Sequence, residues 1–190
     1  MHTTIETSST ENVNRLVEKA IGGDADAFGN IYDVFIDRVY QYVYYRVRNK
    51  DDAEDITQQV FVRAWKAIKR YKITSKPFIA WLLRISQNLI NDFYRTRKVT
   101  MYIDYEFEIP GTEIGPEKQA ELRYDQKELR RIIYRLPEEQ QQVIMMKFIE
   151  GFSYPEIAAS LRKSEGAVRV IQHRALKKMQ TMLEEEKPSG

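Results

Sequence analysis

The segment from Pro77 to Lys98 constrains the fold most, because it carries a helical pattern without interruption. Its apolar residues recur at spacings of three and four, which places them on one face of an α-helix. These residues are Phe78, Trp81, Leu82, Ile85, Leu89 and Phe93. A polar row lies on another face and consists of Arg84, Asn88, Asp92 and Arg95. The pattern predicts a helix that packs with one side and exposes a polar side, with Pro77 at its first position, where the missing N–H does no harm.

The remainder of the chain repeats the helical pattern and offers little that favours sheets. Among 190 residues there are 8 glycines and 6 prolines, and 43% of the residues are hydrophobic, which is enough for packed cores. The segment 101–109 alternates like a strand, but no second strand pattern exists to pair with it. We therefore predict an all-α fold in which two helical modules are joined by an extended linker.

Changes in composition set the expected boundaries. Residues 99–117 contain five acidic residues, two prolines and two glycines but no basic residue, which is typical of an acidic linker. We expect a flexible N-terminus at 1–11, a first module at 12–98, the linker at 99–117, a second module at 118–184 and a flexible tail at 185–190.

Within the modules, apolar spacing predicts a series of helices. In the first module they cover about 13–21, 26–48 and 51–68, before the Pro77 helix. The pair Asp51 and Glu54 resembles a capping box for the third of these. In the second module one helix ends before Pro137, and others cover 138–149, 153–161 and 165–183. On the last helix we expect the following residues to face inward: Ala167, Val168, Ile171, Ala175, Leu176 and Met179.

Composition also excludes several kinds of chemistry. The chain has no cysteine and two histidines, so disulfides and thiolate metal sites are excluded, and we expect no metal and no cofactor. No apolar run approaches the 18 or so residues of a membrane span, and the N-terminus has no signal-peptide core. We expect a soluble intracellular protein without membrane insertion. The net charge of +2 is small, so nucleic-acid binding must be argued from where the charges lie.

The segment from Tyr154 to Lys178 fits a helix-turn-helix motif. It has two helices, a short turn and a basic outer face on the second helix. Arg169 and Arg174 lie five residues apart with Val170 and His173 between them, so one face can offer guanidinium groups to base edges and phosphates. We favour this interpretation over an ordinary helical hairpin, because between residues 162 and 178 six basic residues are opposed by Glu165 alone.

Two other polar surfaces are weaker signals. Around Tyr71–Arg97, basic residues alternate with aromatic ones, a mixture suited to phosphate contacts and stacking on unpaired bases. On the 51–68 helix a polar row faces away from the apolar stripe, and a solvated face is its commoner explanation. Val62 in that row hints at a protein partner. The row consists of Asp55, Gln58, Gln59, Val62, Arg63 and Lys66.

Three sequence blocks in this order resemble the extracytoplasmic-function (ECF) group of the bacterial sigma-70 family of RNA polymerase sigma factors. They are DAEDITQQVFVRAWKAI, PFIAWLLRISQNLINDFYRTRK and FSYPEIAASLRKSEGAVRVIQHRALKKM. The likeness covers about residues 24–183. In that family the first module recognises and melts the −10 promoter element, and the second binds the −35 element.

The resemblance implies roles for individual residues. Core polymerase would be held through the β′ clamp helices by Asp55, Gln58 and Gln59. The −10 DNA would be met by Tyr71, Lys72, Lys76, Arg84, Asn88, Asp92 and Arg95, with the 71–76 loop forming a pocket for a flipped base. The −35 DNA would be met by Ser164, Arg169, Val170, His173, Arg174 and Lys177. The chain departs from the family pattern at Gln59, where Glu is commoner, and at Val170 and Ile171, which replace Ser and Arg.

The resemblance also implies the partners: core RNA polymerase (its β′ clamp helices and β flap), promoter DNA and an anti-sigma factor, all in the bacterial cytoplasm. Such a factor works by binding and is not an enzyme. The 19-residue linker could reach about 63 Å at roughly 3.3 Å per residue, and we expect it to lie in a basic channel of the polymerase. One alternative is a helix-turn-helix regulator that binds duplex DNA alone. Another is a nuclease that uses the acids Asp51, Asp52, Glu54 and Asp55.

Overall fold

The computed structural model describes residues 3–97 and 128–186, and the regular elements in these ranges are all helical, as predicted. The first module contains α1 (Thr3–Ile21), α2 (Ala25–Val47), α3 (Lys50–Ile68) and α4 (Phe78–Arg97). The second contains α5 (128–134), α6 (Glu138–Ile144), α7 (Tyr154–Leu161) and α8 (Glu165–Glu186). The acidic linker at 99–117 lies outside the described residues, so its course stays a prediction.

Helix α1 begins earlier than its apolar pattern suggested. We expected residues 1–11 to be a flexible terminus, but the helix starts at Thr3. A helix nucleated by the apolar residues 13–21 can extend through polar residues, because each further residue adds a hydrogen bond without a new nucleation step. Helix α2 then starts where the Asp24 side chain accepts a hydrogen bond from the Ala27 N–H at 3.0 Å.

Helix α3 is capped two residues before the predicted position. The N-cap residue is Asn49 and not Asp51. The Asn49 side chain accepts a hydrogen bond from the Asp52 N–H at 3.0 Å. The reason lies in the preceding residue, since Arg48 ends α2 in the left-handed conformation, with φ of 60°. Asn49 is thereby left extended, as an N-cap residue must be. Asp51 instead lies in the first turn, where its charge favours the helix dipole.

Helix α4 packs against α2 and α3, as its apolar stripe predicted. Leu82 and Leu89 are buried on that stripe, whereas Trp81 is half-buried. The helix also has a second fully buried stripe that the sequence analysis did not identify, formed by Ile79, Leu83, Ser86 and Ile90. A helix with two buried stripes must be covered on more than one side, and α7 of the second module supplies a further contact.

The predicted helix 138–149 is interrupted. α6 ends at Ile144, and Met145–Ile149 form a turn of π-helix in which the Glu150 N–H donates to the Met145 carbonyl at 3.0 Å. Gly151 then adopts a positive φ of 69°, a conformation that glycine accepts without strain. The wider turn and the glycine together leave Phe148 exposed and bring Phe152 to complete burial.

Helix α8 buries a narrower stripe than predicted. It packs against α6 and α7 and shares an apolar cluster with Ile132 and Ile133 of α5. Val168, Ala175 and Met179 are buried as expected. The prediction was wrong for Ala167 and Leu176, which are exposed, Leu176 by 41%. None of the helices in the described ranges is long and apolar enough to cross a membrane.

Candidate nucleic-acid interface

The helix-turn-helix of the second module has the predicted turn. Helix α7 begins with a capping box in which Glu156 Oε2 accepts hydrogen bonds from the N–H and hydroxyl of Ser153, at 2.8 and 2.9 Å. Arg162 ends α7 with a φ of 57°. Ser164 then caps α8, since its Oγ accepts a hydrogen bond from the Ala167 N–H at 3.2 Å. Both caps form between residues close together in the sequence, so the local sequence determines how α8 follows α7.

The predicted readers on α8 form one exposed face. All six are exposed to solvent, and Val170 is 48% exposed. Five of them lie on the side of α8 that faces away from the buried Val168, Ala175 and Met179, and the sixth, Ser164, is the cap before the first turn. These readers are Ser164, Arg169, Val170, His173, Arg174 and Lys177. A polar, mostly basic helix face that projects from the protein has the shape that enters a DNA major groove.

A residue that the sequence analysis did not assign supports this face. The ring of Tyr154, at the start of α7, lies 3.8 Å from the Arg169 guanidinium carbon and 4.7 Å from Lys147 Nζ. Its hydroxyl donates to Gln172 Oε1 at 2.6 Å. A guanidinium stacked on an aromatic ring has fewer orientations to lose when it binds. No local pattern in the sequence indicates this contact, because Tyr154 and Arg169 lie on different helices.

The polar row on α4 is less exposed than the face of α8. Asn88 and Arg95 are exposed, whereas Arg84 and Asp92 are half-buried. Arg95 Nη2 donates to Asp92 Oδ1 at 2.9 Å, one turn away on the same helix. Such exposed pairs contribute little to stability, about 0.3–0.5 kcal/mol. The pair does set the direction of the Arg95 guanidinium along the row.

The loop before α4 brings basic residues beside an aromatic cluster. Tyr71 packs edge-on against Phe78 with ring centroids 5.2 Å apart, and against Trp81 at 4.8 Å. Burial raises the pKa of the Tyr71 hydroxyl, and the charge of nearby Arg84 opposes this. Lys72 and Lys76 are exposed on the same loop. The Tyr71 ring therefore forms one wall of the loop, and its other side packs against the core of the first module. Lys72 and Lys76 carry the solvent-exposed positive charges of the loop.

The third predicted surface lies on α3. Asp55, Gln58 and Gln59 are all exposed, and next to them Val62 is 52% exposed. Trp65, which the sequence analysis did not single out, is 38% exposed and packs on Phe28 with ring centroids 4.9 Å apart. Its position three residues after Val62 was the available signal. Polar residues around exposed apolar ones are typical of a protein-binding surface.

Within residues 3–97 and 128–186, no three or more histidine, aspartate or glutamate side chains come together as a possible metal site. Of the acids proposed for a nuclease, Glu54 forms an exposed ion pair with Lys50 at 3.9 Å, and Asp51 lies in the first turn of α3.

Comparison with known proteins agrees with this geometry. Residues 31–100 match the sigma-70 region 2 family, and residues 126–179 match the sigma-70 region 4 family. ECF RNA polymerase sigma factor BldN of Streptomyces coelicolor is 33% identical over 178 residues, covering 93% of this chain and 67% of BldN. ECF RNA polymerase sigma factor SigW of Bacillus subtilis is 31% identical over 183 residues, covering 90% of this chain and 96% of SigW.

A solved structure shows the same arrangement. The structure of CnrH in complex with the cytosolic domain of CnrY aligns with a TM-score of 0.64 at 27% identity, covering 93% of this chain and 99% of that one. With one family match on each module and relatives aligned along nearly the whole chain, the resemblance seen in the sequence is confirmed. The chain belongs to the ECF sigma factors of the sigma-70 family, transcription initiation factors of RNA polymerase.

Proposed function

We propose that the three exposed surfaces divide the work of a sigma factor as the sequence predicted. The face of α8 reads the −35 element, the α4 row with its loop engages the −10 element, and the α3 surface holds the β′ clamp helices of core polymerase. The observation that carries this proposal is the face of α8, where all six predicted readers are exposed.

On the −35 element, the side chains of the readers suit particular groups of the DNA. Arg169 and Arg174 are suited to the O6 and N7 acceptors of guanine, and Val170 to a thymine methyl group. Lys177 suits a phosphate, and Ser164 lies at the helix N-terminus, where backbone N–H groups also favour phosphates. His173 lies between the two arginines on the same face. A valine where the family more often has serine should shift preference toward an apolar base edge at that position.

On the −10 element, the loop and α4 act on melted DNA. Extruding a base costs a few kcal/mol of stacking, which the contacts of the pocket must offset. The Tyr71 wall can stack on an unpaired base, and Lys72 and Lys76 neutralise the adjacent phosphates. Asn88, the exposed amide of the row, can hydrogen-bond a base edge.

The polymerase surface of α3 combines charge and apolar area. Asp55 with Gln58 and Gln59 supplies the polar rim, while Val62 and Trp65 supply apolar contact of the kind that dominates binding energy. The second module would meet the β flap. By analogy with CnrH, which is seen with CnrY, an anti-sigma factor would bind this protein in the bacterial cytoplasm.

Two single substitutions test the assignment with purified core polymerase. Arg174→Ala should weaken transcription from a −35-dependent promoter about 5-fold or more, since a good bidentate base contact contributes about 1–3 kcal/mol. Asn88→Ala should slow promoter opening, seen as a weaker permanganate footprint, while recruitment is kept. Both variants should bind core polymerase as the wild type does.

Each variant has a matched control on its own helix. Lys178→Ala removes a positive charge one turn beyond Arg174, and Asn91→Ala removes an exposed amide beside Asn88. Equal defects in a variant and its control would contradict the residue assignments. Strong, specific binding of the free protein to promoter duplex would favour the stand-alone regulator, because a sigma factor gains its promoter specificity together with core polymerase.

A further inference from the structure

Two half-buried tyrosines, Tyr40 and Tyr44, lie one turn apart on α2 and are called the tyrosine pair below. Their rings stack with centroids 5.8 Å apart and planes 20° apart. Residues at this spacing share a helix face, so the tyrosine pair presents one continuous aromatic surface. On the same helix, the buried Tyr42 receives a cation of this chain, since the Arg46 guanidinium carbon lies 3.4 Å from its ring centre. Within the described ranges, no arginine or lysine lies over the tyrosine pair in that way.

Acidic side chains border the tyrosine pair. Asp37 is exposed three residues before Tyr40, so the two side chains are neighbours on the surface of α2. Burial raises the pKa of the Tyr40 hydroxyl, and the charge of Glu54 on α3 raises it further, so that carboxylate lies near the ring. Glu54 is exposed and forms only a loose ion pair with Lys50, at 3.9 Å. The negative faces of aromatic rings and nearby carboxylates attract the same kind of charge, so this surface favours a cation.

The tyrosine pair is continuous with the surface of α3 that we propose for core polymerase. Glu54, beside Tyr40, lies one turn before Gln58 on the same side of α3. At the other end of that surface, Trp65 packs on Phe28 of α2 with ring centroids 4.9 Å apart. Aromatic rings of α2 therefore border the α3 surface near both of its ends, and a partner that lies on α3 also reaches α2.

We propose that the tyrosine pair receives an arginine or lysine side chain of the β′ clamp helices and so extends the polymerase surface from α3 onto α2. The proposal rests on the proposed role of α3 in binding core polymerase. A cationic side chain over Tyr40 gains from the ring face and from the charge of Glu54 at once. The acidic border with Asp37 excludes an acidic side chain from the same place, so the contact also selects the register of the partner.

Photocrosslinking in the holoenzyme tests the position of the tyrosine pair, independently of affinity. Tyr40→p-benzoylphenylalanine places a photoreactive ring where the tyrosine ring lies. It should crosslink to the β′ subunit, within the clamp helices. The same amino acid at Glu18, an exposed position of α1, is the control and should not crosslink to the clamp helices. A crosslink from position 40 to another subunit, or none, would overturn the proposal.

The second measurement is the affinity for purified core polymerase. Tyr40→Leu keeps an apolar side chain but removes the ring, and it should weaken binding roughly 2- to 30-fold, the range that one cation–π contact supplies. Tyr40→Phe keeps the ring and should retain most of the affinity. Glu54→Gln should weaken binding at low salt and have less effect at high salt, because exposed charges are screened. Glu18→Gln, which removes an exposed carboxylate of α1, is the control and should leave the affinity unchanged.

A double-mutant cycle identifies the cation on the polymerase. Each arginine and lysine of the clamp helices is changed to alanine, and each variant is paired with wild-type protein and with Tyr40→Leu. One of these changes should cost affinity with the wild-type protein and little or none with Tyr40→Leu, because the interaction is already lost there. If every arginine and lysine contributes equally in both backgrounds, the tyrosine pair binds no cation of the clamp helices and the proposal is overturned.

Asp55→Ala separates a failure of this proposal from a failure of the proposed function. If Asp55→Ala weakens binding to core polymerase and Tyr40→Leu does not, the extension onto α2 is overturned while the α3 surface stands. If neither variant changes the affinity, the assignment of α3 fails as well. Equal losses in Tyr40→Leu and Tyr40→Phe would show that the ring face is not what binds, which also overturns the proposal. Circular dichroism of each variant establishes that the helices remain folded.

Discussion

The two helices that we propose to read DNA, α4 and α8, are built in different ways. α4 packs against α2, α3 and α7, and two of its four predicted readers are half-buried. α8 packs against α6 and α7 and shares an apolar cluster with α5, and all of the readers proposed for it are exposed. The exposure of each set of proposed readers fits the form of DNA that we propose for it.

Melted DNA and duplex DNA make different demands on a helix. A helix that holds an extruded base needs a rigid wall nearby, and α4 has one in Tyr71, packed against Phe78 and Trp81. A helix that reads duplex DNA must project into a major groove about 12 Å wide, and neighbours on several sides would block its entry. The exposed reader face of α8 is consistent with that need, and the Ser164 cap and Tyr154 support the start of the helix.

The largest expected difference is in stability. Leu83→Ala, at a fully buried position of α4, should lower the free energy of unfolding by about 2–5 kcal/mol. Leu176→Ala, at a position of α8 that is 41% exposed, should change it by less than about 0.5 kcal/mol. Urea unfolding followed by circular dichroism measures both. Similar losses in the free energy of unfolding would mean that α8 is covered as fully as α4. That result would contradict the difference between the two helices.

A smaller effect is expected from the support beneath Arg169. Tyr154→Leu removes the ring, and with about 0.5–2 kcal/mol for a cation–π contact it should weaken −35 binding by the holoenzyme roughly 2- to 30-fold. Tyr154→Phe keeps the ring and loses the hydrogen bond to Gln172, so most of the affinity should be retained. Binding to promoter DNA with a mutated −35 element is the control. Equal losses on both promoters would show a general folding defect instead of positioning.

The smallest effect concerns the start of α8. Ser164→Ala removes the cap of the Ala167 N–H and should lower the free energy of unfolding of the protein by about 1 kcal/mol. Ser164→Asp should restore the stability, since aspartate caps equally well, but its charge should weaken −35 binding near the phosphates. Calorimetry and promoter binding separate the two roles. If Ser164→Asp bound DNA as tightly as the wild type, Ser164 would not lie near phosphates.

The sequence determined the features that depend on neighbours along the chain. The bounds of α2 and α4, the turn Arg162–Ser164 and the exposure of the α8 readers all follow from spacings of three and four residues and from local caps. Side chains at these spacings share a helix face whatever the remainder of the chain does. The family resemblance rested on the same local blocks, and the roles that it implies for individual residues stay predictions.

The tertiary structure alone decided how the modules meet. The ion pair between Arg38 and Glu156 joins residues 118 positions apart, and the pair between Arg46 and Glu150 joins residues 104 positions apart. An arginine or glutamate on a helix has the same local pattern whether it faces water or a distant partner, so no periodicity reveals such a pair. The second buried stripe of α4, the burial of Phe152 and the support of Arg169 by Tyr154 have the same origin. Each depends on elements far apart in sequence that burial of apolar surface brings together.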